Sequence, residues 1–166
     1  MIAMDDLETL AVAVGTRLLE RGEWLATAES CTGGWVAQAV TAIAGSSTWF
    51  DRGFVTYSNA AKMDMLGVAE TTLERHGAVS EATARAMAQG VLAHSRADWS
   101  LAITGIAGPT GGTKKKPVGL VYIAAASRHY KDAIVIKNLF KGSRASVRAK
   151  SADKALTVLK RLHAFF

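Results

Sequence analysis

The chain has 166 residues, 49% hydrophobic and 20% charged, which suits one compact soluble domain and is too apolar for intrinsic disorder. Its net charge of +6 is uneven: residues 1–113 carry 7 basic and 12 acidic side chains, residues 114–166 carry 13 and 2. Gly, Ser and Thr interrupt every uncharged stretch short of a membrane span, the acidic start (Asp5, Asp6, Glu8) argues against a secretory leader, and the lone Cys31 cannot form an internal disulfide, so a cytoplasmic protein is expected.

Asp5 and Glu8 have capping-box spacing and open a helix in which Leu7, Leu10, Val14 and Leu18 recur at helical intervals up to Gly22. Residues 25–28 read as a buried strand running directly into Glu29-Ser30-Cys31-Thr32-Gly33-Gly34, after which residues 35–44 are helical in character until Gly45. A strand at 53–57 follows, then a helix capped by Asn59 that ends at Gly67, then a short helix at 71–76. Ser80 caps a further helix with Thr83, Met87, Val91 and His94 on one face, ending near Ala97. Residues 99–104 form an apolar strand that breaks into a polar loop at 105–117. Strands at 118–126 and 133–139 make a hairpin, and Ser143 caps a last helix with Val147, Ala155, Leu159, Leu162 and Phe166 on its apolar side. These elements imply the α/β class: a three-layer α/β/α domain with a mixed sheet, spanning residues 1–166.

A serine at a strand-to-helix turn is held at a fixed angle, and the N–H groups that follow can face a phosphate or the oxyanion of an acyl-transfer intermediate. Gly33 and Gly34 permit close backbone approach. Ser30 also fits an ordinary N-cap. The segment is not a G-x-S-x-G elbow, because Ala28 and Thr32 stand at the glycine positions. None of His76, His94, His129 and His163 has a spaced Asp partner, which leaves a Ser-His-Asp triad unsupported. Tyr57 and Lys62 follow the next strand and so can lie beside Ser30. Lys62, among Ala60, Ala61, Met63 and Met65, is either desolvated towards a basic role or snorkels at the surface. Cys31 is either a competing nucleophile or a packing residue.

The glycine-rich loop at 104–114 fits neither Walker A nor G-x-G-x-x-G, which argues against a nucleoside triphosphatase. No cluster has metal-ligand spacing, so no metal or other cofactor is expected. Arg144 and Arg148, one turn apart at the start of the last helix, can grip a phosphate or form a solvated basic face. The four tryptophans form no stacking ladder, so nucleic-acid binding rests on charge alone.

The blocks AESCTGG, GSSTWFDRGFVTYSNAAKMDMLGV, GAVSEATARAMAQG, ITGIAGPTGGTKKKPVG and FKGSRASVRAKSADKAL, in this order, resemble the CinA C-terminal domain family. Thr110 departs from the glycine expected in its loop. The resemblance implies an amidohydrolase that converts nicotinamide mononucleotide (NMN) to nicotinic acid mononucleotide and ammonia, within pyridine nucleotide salvage. Ser30 would be the nucleophile, Lys62 the general base and Tyr57 a hydroxyl that tunes or relays. N–H groups near Thr32, Gly33 and Gly34 would hold the oxyanion, and Ser47, Thr104, Gly105 and Arg144 would bind or support the ligand. The implied partner is a small nucleotide, not a membrane or nucleic acid. A homo-oligomer is expected, a dimer before other states, without the larger N-terminal domain of full-length members. The alternative within the family is a non-catalytic nucleotide-binding module with a competence or DNA-damage role.

Overall fold

The structure, a computed structural model, describes residues 4–165. The chain runs α1 (Met4–Arg21), β1 (Leu25–Glu29), α2 (Trp35–Thr41), a 3₁₀ turn (Ser46–Thr48), β2 (Phe50–Val55), α3 (Asn59–Leu66), α4 (Glu70–His76), α5 (Glu81–Ala93), β3 (Trp99–Gly105), β4 (Leu120–Ser127), β5 (Ile134–Leu139) and α6 (Arg144–Phe165). The strand order is β2-β1-β3-β4-β5. β1 pairs in parallel with β2 and β3, whereas β4 pairs antiparallel with both β3 and β5. The sheet is therefore mixed, as expected. The Asp5 side chain and Phe166, assigned above to a cap and an apolar face, lie outside the described residues.

Strand alternation sorts the two helical layers. Leu25, Leu101, Ile103, Val121 and Ile123 pack with α1, α2 and α6. The intervening Ala26, Ala28, Ala102, Ala124 and Ala126 pack with Leu66, Met87 and Val91 of α3 and α5. Small residues on this second face let α5 lie close: the Ser100 hydroxyl donates to the Ala88 carbonyl at 2.8 Å, and a Cβ on Gly90 would collide with the Leu66 carbonyl. The same alternation aims the end of β1. Glu29 has the parity of Leu25 and points to α2, and Ser30 has the parity of Ala28 and points to α3.

Several boundaries differ from the sequence reading. The second strand starts at Phe50, because its register with β1 begins at Leu25, and it ends before Thr56 and Tyr57, where the chain turns into α3. Ser58, not Asn59, caps that helix, its hydroxyl accepting from the Ala61 N–H at 3.0 Å. α2 stops at Thr41 and α5 at Ala93, the latter because His94 closes the helix onto the Gly90 carbonyl. Ser80 and Ser143 cap as expected, accepting from the Thr83 and Ser146 N–H groups. Among the described residues no helix is long and apolar enough to cross a membrane.

Candidate active site

The carboxyl ends of β1 and β3 open into a cavity of about 260 Å³ lined by Ser30, Tyr57, Lys62, Thr104, the 105–108 loop and Arg144. This is where ligands sit in open sheets with parallel strands. Ser30 follows β1 directly, and its N–H donates to the Ile103 carbonyl of β3 at 3.0 Å, so two central strands fix its backbone.

Lys62 reaches Ser30 from α3. Its side chain is 1% exposed, which answers the surface alternative. Nζ lies 3.2 Å from Ser30 Oγ and donates to the Thr56 and Tyr57 carbonyls at 3.0 and 3.4 Å. Burial pushes the Lys62 pKa below the ordinary lysine value, opposed only by the nearby Cys31 thiol. Among the described residues no carboxylate pairs with this amine. A neutral amine suits the geometry: two N–H bonds meet two carbonyls, and the lone pair remains for the Ser30 hydroxyl proton. Cys31 is 6% exposed, and burial pushes its thiol up to about 11. It is a packing residue beside Ser30.

Ser30 is not the N-cap of α2. Gly34 occupies that position, with φ 102° and no side-chain cap bond. The Glu29 carboxylate, 1% exposed, accepts instead from the Val36 and Ala37 N–H groups at 2.8 and 3.1 Å. The Gly33 N–H donates to the Ser30 carbonyl and the Trp35 N–H to the Thr32 carbonyl. The first turn of α2 and the Gly33 N–H are thus already engaged, and the donors left next to Ser30 are those of Cys31, Thr32 and Gly34.

Arg144, the first residue of α6, donates to the Gly108 carbonyl at 2.8 Å and to the Tyr57 hydroxyl at 3.1 Å. Tyr57 thus meets Lys62 through its backbone and Arg144 through its hydroxyl, a different connection from the relay expected at Ser30. The Thr104 hydroxyl donates to the Ala78 carbonyl at 2.7 Å and ties the α4–α5 turn to the pocket wall. Gly105 has no room for a Cβ against Leu120 and Val121.

Ser47 is not brought to the site. It is exposed in the 3₁₀ turn before β2, and the Leu25 N–H pins that turn to the start of β1 through the Trp49 carbonyl at 2.8 Å. Ser30 lies at the other end of the strand, about 16 Å away at the rise per residue of extended chain. Arg148 also departs from expectation: it donates from Nε and Nη2 to the Cys31 and Thr32 carbonyls, both at 3.1 Å. Its guanidinium lies 5.3 Å from the centroid of the Trp35 ring. Sequence reasoning missed the role of Glu29, although an acid just before a helix start was the signal that could have found it.

Residues 7–163 match the family model of the CinA C-terminal domain. The nicotinamide-nucleotide amidohydrolase PncC of Escherichia coli (strain K12) is 51% identical over 154 residues, 93% of each chain. A CinA-like protein of Syntrophobacter fumaroxidans is 52% identical over 155 residues, 93% of this chain and 36% of its own length. Among solved structures, the competence/damage inducible protein CihA from Agrobacterium tumefaciens matches with a TM-score of 0.92 at 47% identity, covering 95% of both chains. Sequence and fold agree along nearly the whole length, and the chain belongs to the CinA C-terminal domain family.

Proposed function

We propose that this protein hydrolyses the carboxamide of NMN, giving nicotinic acid mononucleotide and ammonia, with Ser30 as nucleophile and Lys62 as general base. The observation that carries the mechanism is the buried Lys62 amine, without a carboxylate partner, 3.2 Å from the Ser30 hydroxyl at the floor of an open cavity. A dyad assembled in this way favours turnover over binding alone. The substrate follows from the named activity of the Escherichia coli relative.

Lys62 takes the Ser30 proton as Oγ attacks the carboxamide carbon. The new oxyanion faces N–H groups of the turn after Ser30. The Thr56 and Tyr57 carbonyls stabilise the transient ammonium of Lys62, which protonates the departing nitrogen so that ammonia leaves. Water then attacks the acyl-enzyme, giving one proton to Lys62, and the proton returns to Ser30 as the acid is released. Arg144 and the 105–111 loop receive the 5′-phosphate, and the Tyr57 hydroxyl orients Arg144. The reading includes a single domain over residues 1–166, cytoplasmic and cofactor-free, acting as a homo-oligomer, a dimer before other states.

Ser30→Ala should lower ammonia release from NMN by at least about 10³-fold while thermal unfolding stays at the wild-type temperature. Near wild-type turnover in this variant would refute the nucleophile assignment.

A further inference from the structure

We propose that Arg148 is a positioning residue of this amidase: its guanidinium sets the peptide plane between Cys31 and Thr32 so that the Thr32 N–H joins the oxyanion hole. The inference rests on the reading of Ser30 as an acyl-transfer nucleophile.

A helix N-terminus is the usual anion site beside a strand-to-helix turn, but here Glu29 fills it. The Val36 and Ala37 N–H groups donate to its carboxylate, and those of Gly33 and Trp35 are spent within the turn. The donors left beside the nucleophile are those of Cys31, Thr32 and Gly34, of which the first two follow Ser30 directly in the chain. The bond from the Gly33 N–H to the Ser30 carbonyl fixes the plane of the Cys31 N–H, but no backbone bond of the turn reaches the Cys31 carbonyl, so the peptide carrying the Thr32 N–H is not held locally, next to Gly33 and Gly34 at φ 61° and 102°.

Arg148 supplies the missing constraint from α6. Its Nε and Nη2 hold the Cys31 and Thr32 carbonyls at 3.1 Å each. In a trans peptide the carbonyl and the next N–H point in opposite directions. Holding the Cys31 carbonyl against α6 therefore turns the Thr32 N–H away from α6. Donation to that carbonyl also polarises the peptide and strengthens its N–H as a donor. The guanidinium is fixed in turn by the Trp35 ring, 5.3 Å from its centroid. A lysine cannot reproduce this, since one ammonium does not span two carbonyls and stack on a ring at once. Arg144, one turn earlier, lines the cavity, whereas Arg148 does not. Arg148 therefore acts through the backbone and not on the substrate.

The test compares wild type, Arg148→Met, Arg148→Lys and Arg148→Ala by steady-state ammonia release from NMN, by the rate at which a fluorophosphonate labels Ser30, and by thermal unfolding. In Arg148→Met, kcat and the labelling rate should both fall about 10²-fold, the scale of losing an oxyanion donor, while KM stays within about threefold. Arg148→Lys should recover less than a tenth of the lost activity, and free guanidinium ion should raise the kcat of Arg148→Ala severalfold. Unchanged kcat and labelling in Arg148→Met overturn the proposal, as does a raised KM at wild-type kcat. Activity that falls only in step with the folded fraction, with no guanidinium rescue, makes Arg148 a structural tie and also overturns it. If wild type is labelled at Ser30 but releases no ammonia from NMN, the substrate assignment fails and the labelling rates alone decide the role of Arg148. If wild type is not labelled and releases no ammonia, the nucleophile reading and the role of Arg148 fall together.

Discussion

Cavities of about 260 Å³ open at both ends of the central strands, each beside buried titratable side chains. At the carboxyl end stand Ser30 and Lys62. At the other end, the cavity beside Trp99 and Tyr130 lies next to a cluster centred on Glu23. That carboxylate accepts from Trp99 Nε1 at 2.8 Å, is 3.3 Å from His129 Nε2 and 3.7 Å from Arg21 Nε, and faces His163 Nε2 at 3.9 Å. Neither ring nitrogen of the buried His163 has a hydrogen-bond partner, and burial pushes its pKa down to about 4. A shifted pKa therefore does not by itself mark a site. Cys31 and His163 are both strongly shifted, yet one is a packing residue and the other a neutral ring stacked edge-on against Trp99. What separates the carboxyl end is a buried amine 3.2 Å from a serine hydroxyl at the wall of a cavity, with free backbone N–H groups in the turn that follows.

The contrast breaks most directly at Lys62. Lys62→Met should reduce kcat by at least about 10³-fold, since among the described residues Lys62 is the one basic side chain within hydrogen-bond reach of Ser30. In wild type, kcat/KM should rise with pH through a pKa below the ordinary lysine value, as the free amine forms. Stability carries the same sign. Between the lowered native pKa and the ordinary 10.5, the unfolded chain binds a proton that the native state does not, so stability rises with pH across that window. Denaturant unfolding at several alkaline pH values should show this slope in wild type and not in Lys62→Met. A variant that keeps both the slope and the turnover would return Lys62 to a structural role.

Arg144 should matter next, and mainly for binding. If Arg144 makes the proposed charge-assisted contact to the phosphate, a contact of this kind being worth about 1.5–3 kcal/mol, Arg144→Ala should raise KM for NMN roughly 10- to 100-fold with kcat changed much less. Tyr57→Phe removes only the hydroxyl that accepts from Arg144 and should raise KM a few-fold. A large fall in kcat for Tyr57→Phe at unchanged KM would mean that the hydroxyl works at the dyad after all.

The sequence showed the fold well where a local signal and the tertiary demand coincide. The run from β1 into AESCTGG, the apolar company of Lys62, and the Ser80 and Ser143 caps were all legible. Register was less so: β2 lies three residues upstream of its expected start because pairing with β1, and not strand propensity, sets its limits. Ser47 carries the family pattern but sits at the far end of β1, a fact of topology that no spacing reveals. The partners of Glu29 and Arg148 were hidden for different reasons. Glu29 reaches seven residues along the chain to the Val36 N–H, and Arg148 reaches back 117 to the Cys31 carbonyl. The first exceeds the roughly two- to three-residue reach of capping rules because the turn between β1 and α2 folds Glu29 back under the helix start, and the second depends on α2 and α6 sharing a layer.

The smallest effect on turnover is expected at the opposite end, from His163→Leu. His163 lies on the far side of the sheet from the dyad, so kcat and KM should stay at wild-type values. Its consequence should appear in acid stability. The unfolded histidine takes a proton near 6.5, whereas the buried ring resists until about 4. Across that window the unfolded state binds more protons, and wild-type stability falls as the pH drops, by about 3 kcal/mol at most. Below about 4 both states are protonated and the penalty is complete. Leucine has no such penalty and packs against Trp99 without a polar atom, so unfolding curves at pH 7 and pH 4 should differ less in His163→Leu than in wild type. An unchanged difference would mean that His163 is not the source of the acid sensitivity. Altered kcat would instead mean that the two ends communicate through β3, which begins at Trp99 and ends beside Ser30.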